Sequence, residues 1–218
     1  MTKPMAQPGP HQGQPMLTAG APLAEARGAV LLVHGRGATA QDILTLAPEL
    51  DQPDLAYLAP QAAGSTWYPY PFMSPLESNE PFLSSALARL GEVLAHIAAA
   101  GIPPERTALL GFSQGACLAT EYAARNARRY GGVAGLSGGL IGPDGTPRDY
   151  PGSLDGTRVV LGCSDVDFHI PQERVTHTGE VLRRLGGNVN LRLYPGLGHA
   201  VNADEIDNVR AMLAAIHA

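Results

Sequence analysis

Two patterns of apolar positions alternate along this chain and indicate alternating strands and helices. Short, mostly apolar runs predict β-strands at residues 14–19, 29–33, 55–59, 107–110, 132–136, 158–162 and 189–194. Segments of helical character lie between or after them, at residues 39–50, 82–97, 116–122, 171–185 and 204–216. This alternation favours an α/β fold with a mostly parallel central sheet and helices on both of its faces.

Local signals support this division of the chain. Thr39, with Asp42 three residues later, resembles the capping box that opens a helix. The last strand, at residues 189–194, alternates apolar and polar side chains, which is typical of a half-exposed strand near a sheet edge. With 218 residues and no internal repeat, the chain suits one domain with a full core. We expect this domain at residues 14–218, after a flexible tail at residues 1–13.

Composition excludes several classes of function. The formal net charge is −5 and no basic stripe is present, so we expect no nucleic-acid partner. No apolar stretch approaches the ~20 residues of a membrane span, and the N-terminus lacks the apolar segment of a secretory signal. These missing signals predict a cytoplasmic protein whose Cys117 and Cys163 are reduced thiols. No Cys/His cluster has zinc spacing, so neither a metal nor another cofactor is expected.

The sequence G-F-S-Q-G at residues 111–115 joins a predicted strand to a predicted helix. A serine at the apex of such a turn is a nucleophile elbow, because the sharp bend needs small neighbours and exposes the hydroxyl above the sheet. We therefore predict that Ser113 is a catalytic nucleophile. The alternative is a Gly-Ser turn that caps an ordinary helix.

A serine hydroxyl needs a base to take its proton, and the base is usually a histidine held by a carboxylate. In this kind of fold the chain order is serine, then acid, then histidine. His199 follows the last strand on a Pro/Gly-rich loop, so it is the predicted base. His34 precedes a glycine loop and His169 lies in the acid loop, where we expect supporting roles. His11 lies in the tail, where we expect it to be solvated.

Two carboxylates compete for the role of the acid. Asp165 and Asp167 both lie in the loop that follows the strand at residues 158–162. Both precede the predicted helix that begins near Pro171.

At this point the chain resembles the phospholipase/carboxylesterase family of α/β hydrolases, which includes bacterial carboxylesterases and acyl-protein thioesterases. The matching segments are H-G-R-G at residues 34–37, G-F-S-Q-G at 111–115, L-S-G at 136–138, D-x-x-I-P at 167–171 and Y-P-G-L-G-H at 194–199. The resemblance runs from about residue 27 to residue 213. It implies the α/β-hydrolase fold and a Ser-His-Asp triad, and it makes a homodimer possible because dimers are common among relatives.

The family's acid motif, G-x-x-D-P-x-V-P, is two residues longer in this chain. Counting forward from Gly162 selects Asp165, whereas counting back from the I-P of residues 170–171 selects Asp167. We favour Asp167, because the acid should directly precede the next helix, which that proline helps to start. Asp165 remains the alternative acid, and Phe168 occupies the position of the family's usual proline.

The resemblance also implies where the oxyanion would bind. One donor is the backbone N–H of Gln114, the residue after the nucleophile, and the other is the N–H of Arg36, with Gly37 as the near alternative. Many relatives carry leucine at position 36, so the arginine side chain could steer anionic substrates or be simply solvated. A phosphate-binding loop is the rival interpretation, but the Gly-Lys-Ser/Thr ending is missing.

Residues 60–81 form a long segment outside the regular pattern. Such long loops are usually functional or disordered, and the aromatic side chains here argue against disorder. We expect a short flap over the acyl-binding side of the site, with Trp67, Phe72 and Met73 as substrate contacts. Leu140 is a further pocket residue by resemblance. The alternative is a packed loop that never meets substrate.

The function implied is that of a serine carboxylesterase that hydrolyses small to medium acyl esters through an acyl-enzyme. Its partner would be a small-molecule ester. An acyl-thioesterase or a lysophospholipase on the same triad is the first alternative. A non-catalytic binding protein on a hydrolase fold is the second, because fold alone does not fix function.

Overall fold

The structure, a computed structural model, describes residues 9–217, with only the backbone described for the last of these. Within this range the chain forms a seven-stranded sheet. Its strands are β1 (Met16–Gly20), β2 (Gly28–Val33), β3 (Leu55–Pro60), β4 (Thr107–Phe112), β5 (Gly132–Leu136), β6 (Arg158–Ser164) and β7 (Asn188–Tyr194). Their order across the sheet is β1-β3-β2-β4-β5-β6-β7, and β1 alone runs antiparallel to its neighbour among these strands.

Helices cover both faces of this sheet, as the sequence predicted. They are α1 (Ala40–Leu44), α2 (Leu46–Leu50), α3 (Phe82–Ala99), α4 (Gln114–Arg125), α5 (Gln172–Arg184) and α6 (Ala203–Ala214). The predicted helix at residues 39–50 is split into α1 and α2. Pro48 explains the split, because it has no N–H to donate to the carbonyl of Leu44. The capping box of Thr39 and Asp42 is present at the start of α1.

Two apolar cores lie on opposite faces of the sheet. Along β2, Leu31 and Val33 belong to the core under α3, α4 and α5, whereas Val30 and Leu32 belong to the core under α1, α2 and α6. This alternation follows from the two-residue period of a strand. Strand β2 is buried throughout, but β7 lies at the sheet edge and has mostly half-exposed or exposed residues.

Helix α3 requires a correction. It has 18 residues and a mean hydropathy of 1.2, so by length and composition alone it could cross a membrane. The sequence predicted no apolar stretch close to that length. Its buried side chains pack into the core with α4 and the sheet, which is the arrangement of a core helix.

The N-terminal segment also differs from the expectation. Residues 9–13, assigned to a flexible tail, pack against the domain, and residues 1–8 lie outside the described range. The expectation that His11 is solvated is wrong, because its side chain is fully buried against the rings of Trp67 and Phe82. The His11 ring donates from Nε2 to the carbonyl of Trp67 (2.8 Å) and accepts at Nδ1 from the N–H of Ala63 (3.1 Å).

Candidate active site

The predicted sharp turn is present between β4 and α4. Ser113 stands at its apex with φ +56° and ψ −121°, a region that residues other than glycine rarely adopt. A side chain at Gly115 would collide with the backbone of Val33, and one at Gly111 would collide with the backbone of Gly115. Glycine is therefore required on both sides of the serine, and the turn presents Ser113 at the carboxyl end of the central strands.

A continuous hydrogen-bonded array extends from this serine. The Oγ atom of Ser113 lies 2.9 Å from Nε2 of His199, and Nδ1 of His199 lies 2.7 Å from Oδ2 of Asp167. A carboxylate only accepts hydrogen bonds, so Nδ1 of His199 carries the proton. Nε2 is then left with its lone pair directed at the serine hydroxyl.

The Asp167 carboxylate is buried but held in its charged form. Its second oxygen accepts the backbone N–H groups of His169 (2.9 Å) and Ile170 (3.1 Å). Burial acts to raise the pKa of Asp167, but the hydrogen bonds from His199 and from these two amides outweigh it and lower the pKa. An ionised Asp167 is the form that can orient the His199 ring.

Asp165 lies in the same loop, but its carboxylate contacts the backbone of the loop that carries His199 rather than the His199 ring. Its Oδ1 accepts the N–H of Gly196 (2.8 Å), and the neighbouring Ser164 hydroxyl accepts the N–H of Gly198 (3.0 Å). Both contacts fix the loop that carries His199. Asp165 therefore supports the position of the histidine without touching its ring.

The amides expected to bind an oxyanion differ in availability. The N–H of Gly37 donates to the carbonyl of Ser65 at 2.7 Å, so this alternative donor is occupied. In the range 9–217, the N–H groups of Arg36 and Gln114 donate to no protein acceptor. Both of these residues line the cavity above Ser113.

Residues 61–70, which we call the brace segment, contact the two stretches of backbone that carry these amides. These stretches are the loop after β2 and the start of α4. The Gln114 side chain accepts the N–H of Trp67 (2.9 Å) and donates to the carbonyl of Tyr68 (2.8 Å). The indole N–H of Trp67 donates to the carbonyl of His34 (2.9 Å). This part of residues 60–81, the segment predicted to act as a flap, thus holds the start of α4 and the loop after β2 in place.

The Arg36 side chain is part of the same arrangement. Its guanidinium donates to the carbonyls of Tyr68 (2.9 Å), Pro69 (2.9 Å) and Tyr70 (3.0 Å). The guanidinium is therefore not simply solvated, and it ties the brace segment to the loop that bears the Arg36 amide. Steering of anionic substrates by its charge stays a prediction.

His34 is buried and neutral beneath this loop. Its Nδ1 donates to the carbonyl of Gly35 (2.8 Å), and its Nε2 accepts the N–H of Ala62 (3.1 Å). Only the neutral ring can make both bonds, and burial lowers the pKa of His34. The predicted location of His34 near the site, in a supporting position, agrees with these contacts.

A cavity of about 580 Å³ opens above Ser113. Its walls include Tyr68, Pro71, Phe72, Phe112, His169 and Ile170. Phe72, a predicted substrate contact, thus lies in the wall of the cavity above Ser113. Met73 lines a neighbouring cavity of about 560 Å³. Trp67 and Leu140 are fully buried and line neither cavity, so the structure assigns them to packing and corrects the expectation of substrate contact.

Several cavity residues were missed from the sequence. Tyr68 lies within residues 60–81 but was not among the predicted substrate contacts, and His169 was predicted only to have a supporting role. Cys117 lies one helical turn after Ser113, a spacing that places it on the same side of α4. Burial raises the pKa of the Cys117 thiol to about 12, so it is a neutral, apolar part of the wall. Within residues 9–217, no group of three or more His, Cys, Asp and Glu side chains is placed to hold a metal ion.

Comparison with known proteins gives concordant results for most of the chain. A family model described as phospholipase/carboxylesterase matches residues 18–217. The crystal structure of a phospholipase/carboxylesterase from Dyadobacter fermentans DSM 18053 is 42% identical, covers 93% of this chain and 97% of its own, and has a TM-score of 0.89. Esterase PE8 is 25% identical, covers 93% of this chain and 98% of its own, and has a TM-score of 0.75.

Curated relatives match over a shorter region. Acyl-protein thioesterase 1 from Gibberella zeae is 35% identical over 116 residues, which is 52% of this chain and 49% of that protein. Acyl-protein thioesterase 1 from Neurospora crassa is 27% identical over 117 residues, which is 52% of this chain and 47% of that protein. The chain therefore spans about half the length of the curated relatives that it matches.

Proposed function

Because the chain belongs to the phospholipase/carboxylesterase family and has the α/β-hydrolase fold, we propose that it is a serine carboxylesterase acting on small to medium acyl esters. The observation that carries the proposal is the array Ser113–His199–Asp167, which begins at a strained turn and opens into a cavity. The hydrogen-bond partners of these three side chains support the proposal, because they are the ones that acyl transfer requires.

In the first half of the reaction, Oγ of Ser113 attacks the ester carbonyl carbon while Nε2 of His199 accepts the hydroxyl proton. Asp167 keeps the ring in position and stabilises its charged form. The backbone N–H groups of Gln114 and Arg36 bind the oxygen that becomes negative. The bond to the alcohol oxygen then breaks, and the alcohol leaves with the proton from His199.

The second half repeats these steps with water as the nucleophile. His199 takes a proton from the water as its oxygen attacks the acyl-enzyme carbonyl, and the same two amides stabilise the negative oxygen. Collapse of this intermediate releases the carboxylic acid and returns the proton to Oγ of Ser113. The net reaction is ester plus water to acid plus alcohol, and nothing is oxidised or reduced.

The proposed substrate size follows from the cavity above Ser113. Its volume of about 580 Å³ and its largely apolar walls suit an acyl chain of short to medium length. Thioester hydrolysis on the same residues is the second candidate function, because the curated relatives are acyl-protein thioesterases. The same triad and amides would serve a sulfur leaving group without rearrangement.

Two measurements on one pair of proteins test the proposal. The parent should hydrolyse p-nitrophenyl esters in a series from acetate to dodecanoate and react covalently with a fluorophosphonate. Ser113→Ala should lose both properties, because it lacks the nucleophile. The proposed function would be contradicted if the parent hydrolysed these esters no faster than Ser113→Ala and was not labelled. Relative rates on oxygen and sulfur esters with the same acyl group then separate the two candidate functions.

A further inference from the structure

A large aromatic side chain stands uncovered beside the candidate active site. Phe168 exposes 81% of its surface, the largest fraction among the exposed large apolar residues of the described chain. Its neighbours Asp167 and His169 both belong to the site already described. Exposure of a phenyl ring costs free energy, so a bound group that covers it would be stabilised.

The rings around His199 form a continuous group. The Phe168 ring lies 4.3 Å from the His169 ring, which lies 4.9 Å from the His199 ring and meets it edge to face. The Phe112 ring approaches His199 at 5.0 Å. Phe112 and His169 line the cavity, and Phe168 extends the same aromatic surface outward.

A hydrogen bond to Asp167 fixes the position of this aromatic surface. The backbone N–H of His169 donates to Asp167, whose other oxygen holds His199. The ring nitrogens of His169 make no hydrogen bond in the described part of the chain, so the ring is free to contact a ligand. The aromatic surface is therefore held at a defined place beside the base.

In the proposed reaction, this aromatic surface lies beside the alcohol half of the ester, which is the leaving group. The leaving oxygen must lie within hydrogen-bond reach of Nε2 of His199 in order to take its proton. The group attached to that oxygen then lies against the rings that surround His199. The carbonyl oxygen points instead towards the amides of Arg36 and Gln114.

We propose that Phe112, His169 and Phe168 form a leaving-group subsite that favours aryl esters, whose alcohol is a planar aromatic ring. This inference rests on the proposed esterase function. Ring pairs gain free energy from stacked and edge-to-face contacts beyond the area that they bury, which an alkyl alcohol cannot match. The subsite selects the alcohol and leaves the choice of acyl group to the cavity walls formed by Tyr68, Pro71 and Phe72.

Two acetate esters with leaving groups of similar pKa test the subsite. Phenyl acetate carries an aromatic alcohol, and hexafluoroisopropyl acetate carries a fluorinated alkyl alcohol of comparable acidity. Both give the same acetyl-enzyme, so deacylation is identical and only kcat/KM reports on the leaving group. The proteins compared are the parent, Phe168→Ala, Phe168→Leu and the control Val166→Ala, which changes an exposed residue of the same loop outside the ring group.

Phe168→Ala and Phe168→Leu should each lower kcat/KM for phenyl acetate about 3- to 10-fold, the usual contribution of an aromatic pair. For the fluoroalkyl ester, kcat/KM should stay within about twofold of the parent. Val166→Ala should change neither value. Thermal unfolding midpoints should agree among all four proteins, because the substituted side chains are exposed.

Equal losses on both esters would overturn the subsite, as would a Phe168→Ala effect that depends on acyl chain length rather than on the alcohol. In either case, fluorophosphonate labelling of Ser113 and turnover by the parent would leave the proposed esterase function standing. Absence of both labelling and hydrolysis would overturn the proposed function and the subsite together.

Discussion

At the level of individual residues, the candidate site depends on which group holds which proton. Asp167 is ionised and fixes the proton of His199 on Nδ1, which leaves Nε2 ready to accept from Ser113. His34 is neutral and bridges two loops through opposite sides of its ring. These assignments follow from the partners of each ring nitrogen, since a carbonyl or carboxylate can only accept and an amide N–H can only donate.

We expect Asp167→Asn and Asp165→Asn to differ sharply in turnover. Asparagine at 167 would offer His199 an amide in place of a carboxylate and favour the wrong ring tautomer, so kcat should fall about 10⁴-fold. Asparagine at 165 can still accept the N–H of Gly196, so kcat should stay within about threefold. Steady-state kinetics on p-nitrophenyl butyrate measures both, and a larger loss in the second variant would assign the acid role to Asp165.

The sequence could indicate Ser113 and His199 as candidates but not decide between the two aspartates. The elbow and the chain order are local patterns, whereas the loop between β6 and α5 has two residues more than the motif that it resembles. Which carboxylate faces His199 depends on how that loop folds. In the structure it turns so that Asp167 caps the amides of His169 and Ile170.

Among the elements, the brace segment departs most from the prediction. Trp67 was expected to contact substrate, yet its indole points inward to the carbonyl of His34. That contact joins residues 33 positions apart, and such a pairing cannot be read from composition or spacing. The helix and strand positions were easier to predict, because each has its own period of apolar residues.

Replacement of Arg36 by leucine tests the brace segment. The backbone N–H remains, but three hydrogen bonds to carbonyls are lost, so the loop after β2 that carries this N–H should loosen. We expect kcat to fall about tenfold with little change in KM, since the defect lies in positioning, and unfolding to become easier by about 1–3 kcal/mol.

Arg27→Leu is the matched control, because within residues 9–217 the Arg27 side chain makes only an exposed ion pair with Asp54. Kinetics with neutral and anionic esters, and urea unfolding of both variants, provide the readouts. A selective loss of activity on anionic esters in Arg36→Leu would show that its side chain steers substrate after all.

His11 offers a second test, because Trp67 is the single tryptophan of the chain. His11→Ala removes the bonds to Trp67 and Ala63, so the emission of Trp67 should shift to longer wavelength. The same change should speed hydrogen exchange at the Ala63 amide. His96→Ala, an exposed position on α3, is the control and should leave the spectrum unchanged.

The same histidine predicts a sensitivity to acid. Burial lowers the folded-state pKa of His11 below 6.5, so the unfolded chain binds the proton more tightly. The stability that neutral His11 contributes is present above pH 6.5 and is lost as the pH falls below it. In urea titrations between pH 7 and pH 5, the parent should lose more stability than His11→Ala, and parallel losses would contradict this.

For the molecule as a whole, stability also depends on Glu205, which lies on the face of the sheet opposite to His11. Its ionisation changes stability with pH in the opposite direction to that of His11. Glu205 caps the start of α6 and is almost fully buried. Burial raises its pKa from 4.5 to about 7, even though the bond from the N–H of Asn202 lowers it. The folded state therefore binds this proton more tightly than the unfolded chain, and stability falls as the pH rises from 4.5 to about 7.

Glu205→Gln should remove this dependence. The amide oxygen of glutamine can still accept the N–H of Asn202, but no charge forms at neutral pH. Relative to the parent, the variant should gain up to about 3 kcal/mol at pH 8 and little at pH 4.5. Urea unfolding across this range measures the difference, with Asp207→Asn on the exposed side of α6 as the control. If the unfolding free energies of the parent and the variant change with pH in parallel, the ionisation of Glu205 does not destabilise the folded protein.

The sequence sufficed for the overall architecture but not for its details. Alternating strands and helices predicted the α/β class and the parallel sheet, and the family comparison confirms it. The strand order and the burial of His11 depend on contacts between distant residues, for which no local pattern exists. The possible homodimer stays a prediction.

The site is assembled from two halves of the sheet that touch at Ser113. The Arg36 amide and the brace segment lie in the loops after β2 and β3, and the Gln114 amide directly follows Ser113 at the start of α4. Asp167 and His199 follow β6 and β7. Under the proposed function, binding of the oxyanion and transfer of the proton therefore depend on separate stretches of the chain. A substitution in the C-terminal stretch that changes the preferred leaving group would then leave the proposed oxyanion-binding amides in place.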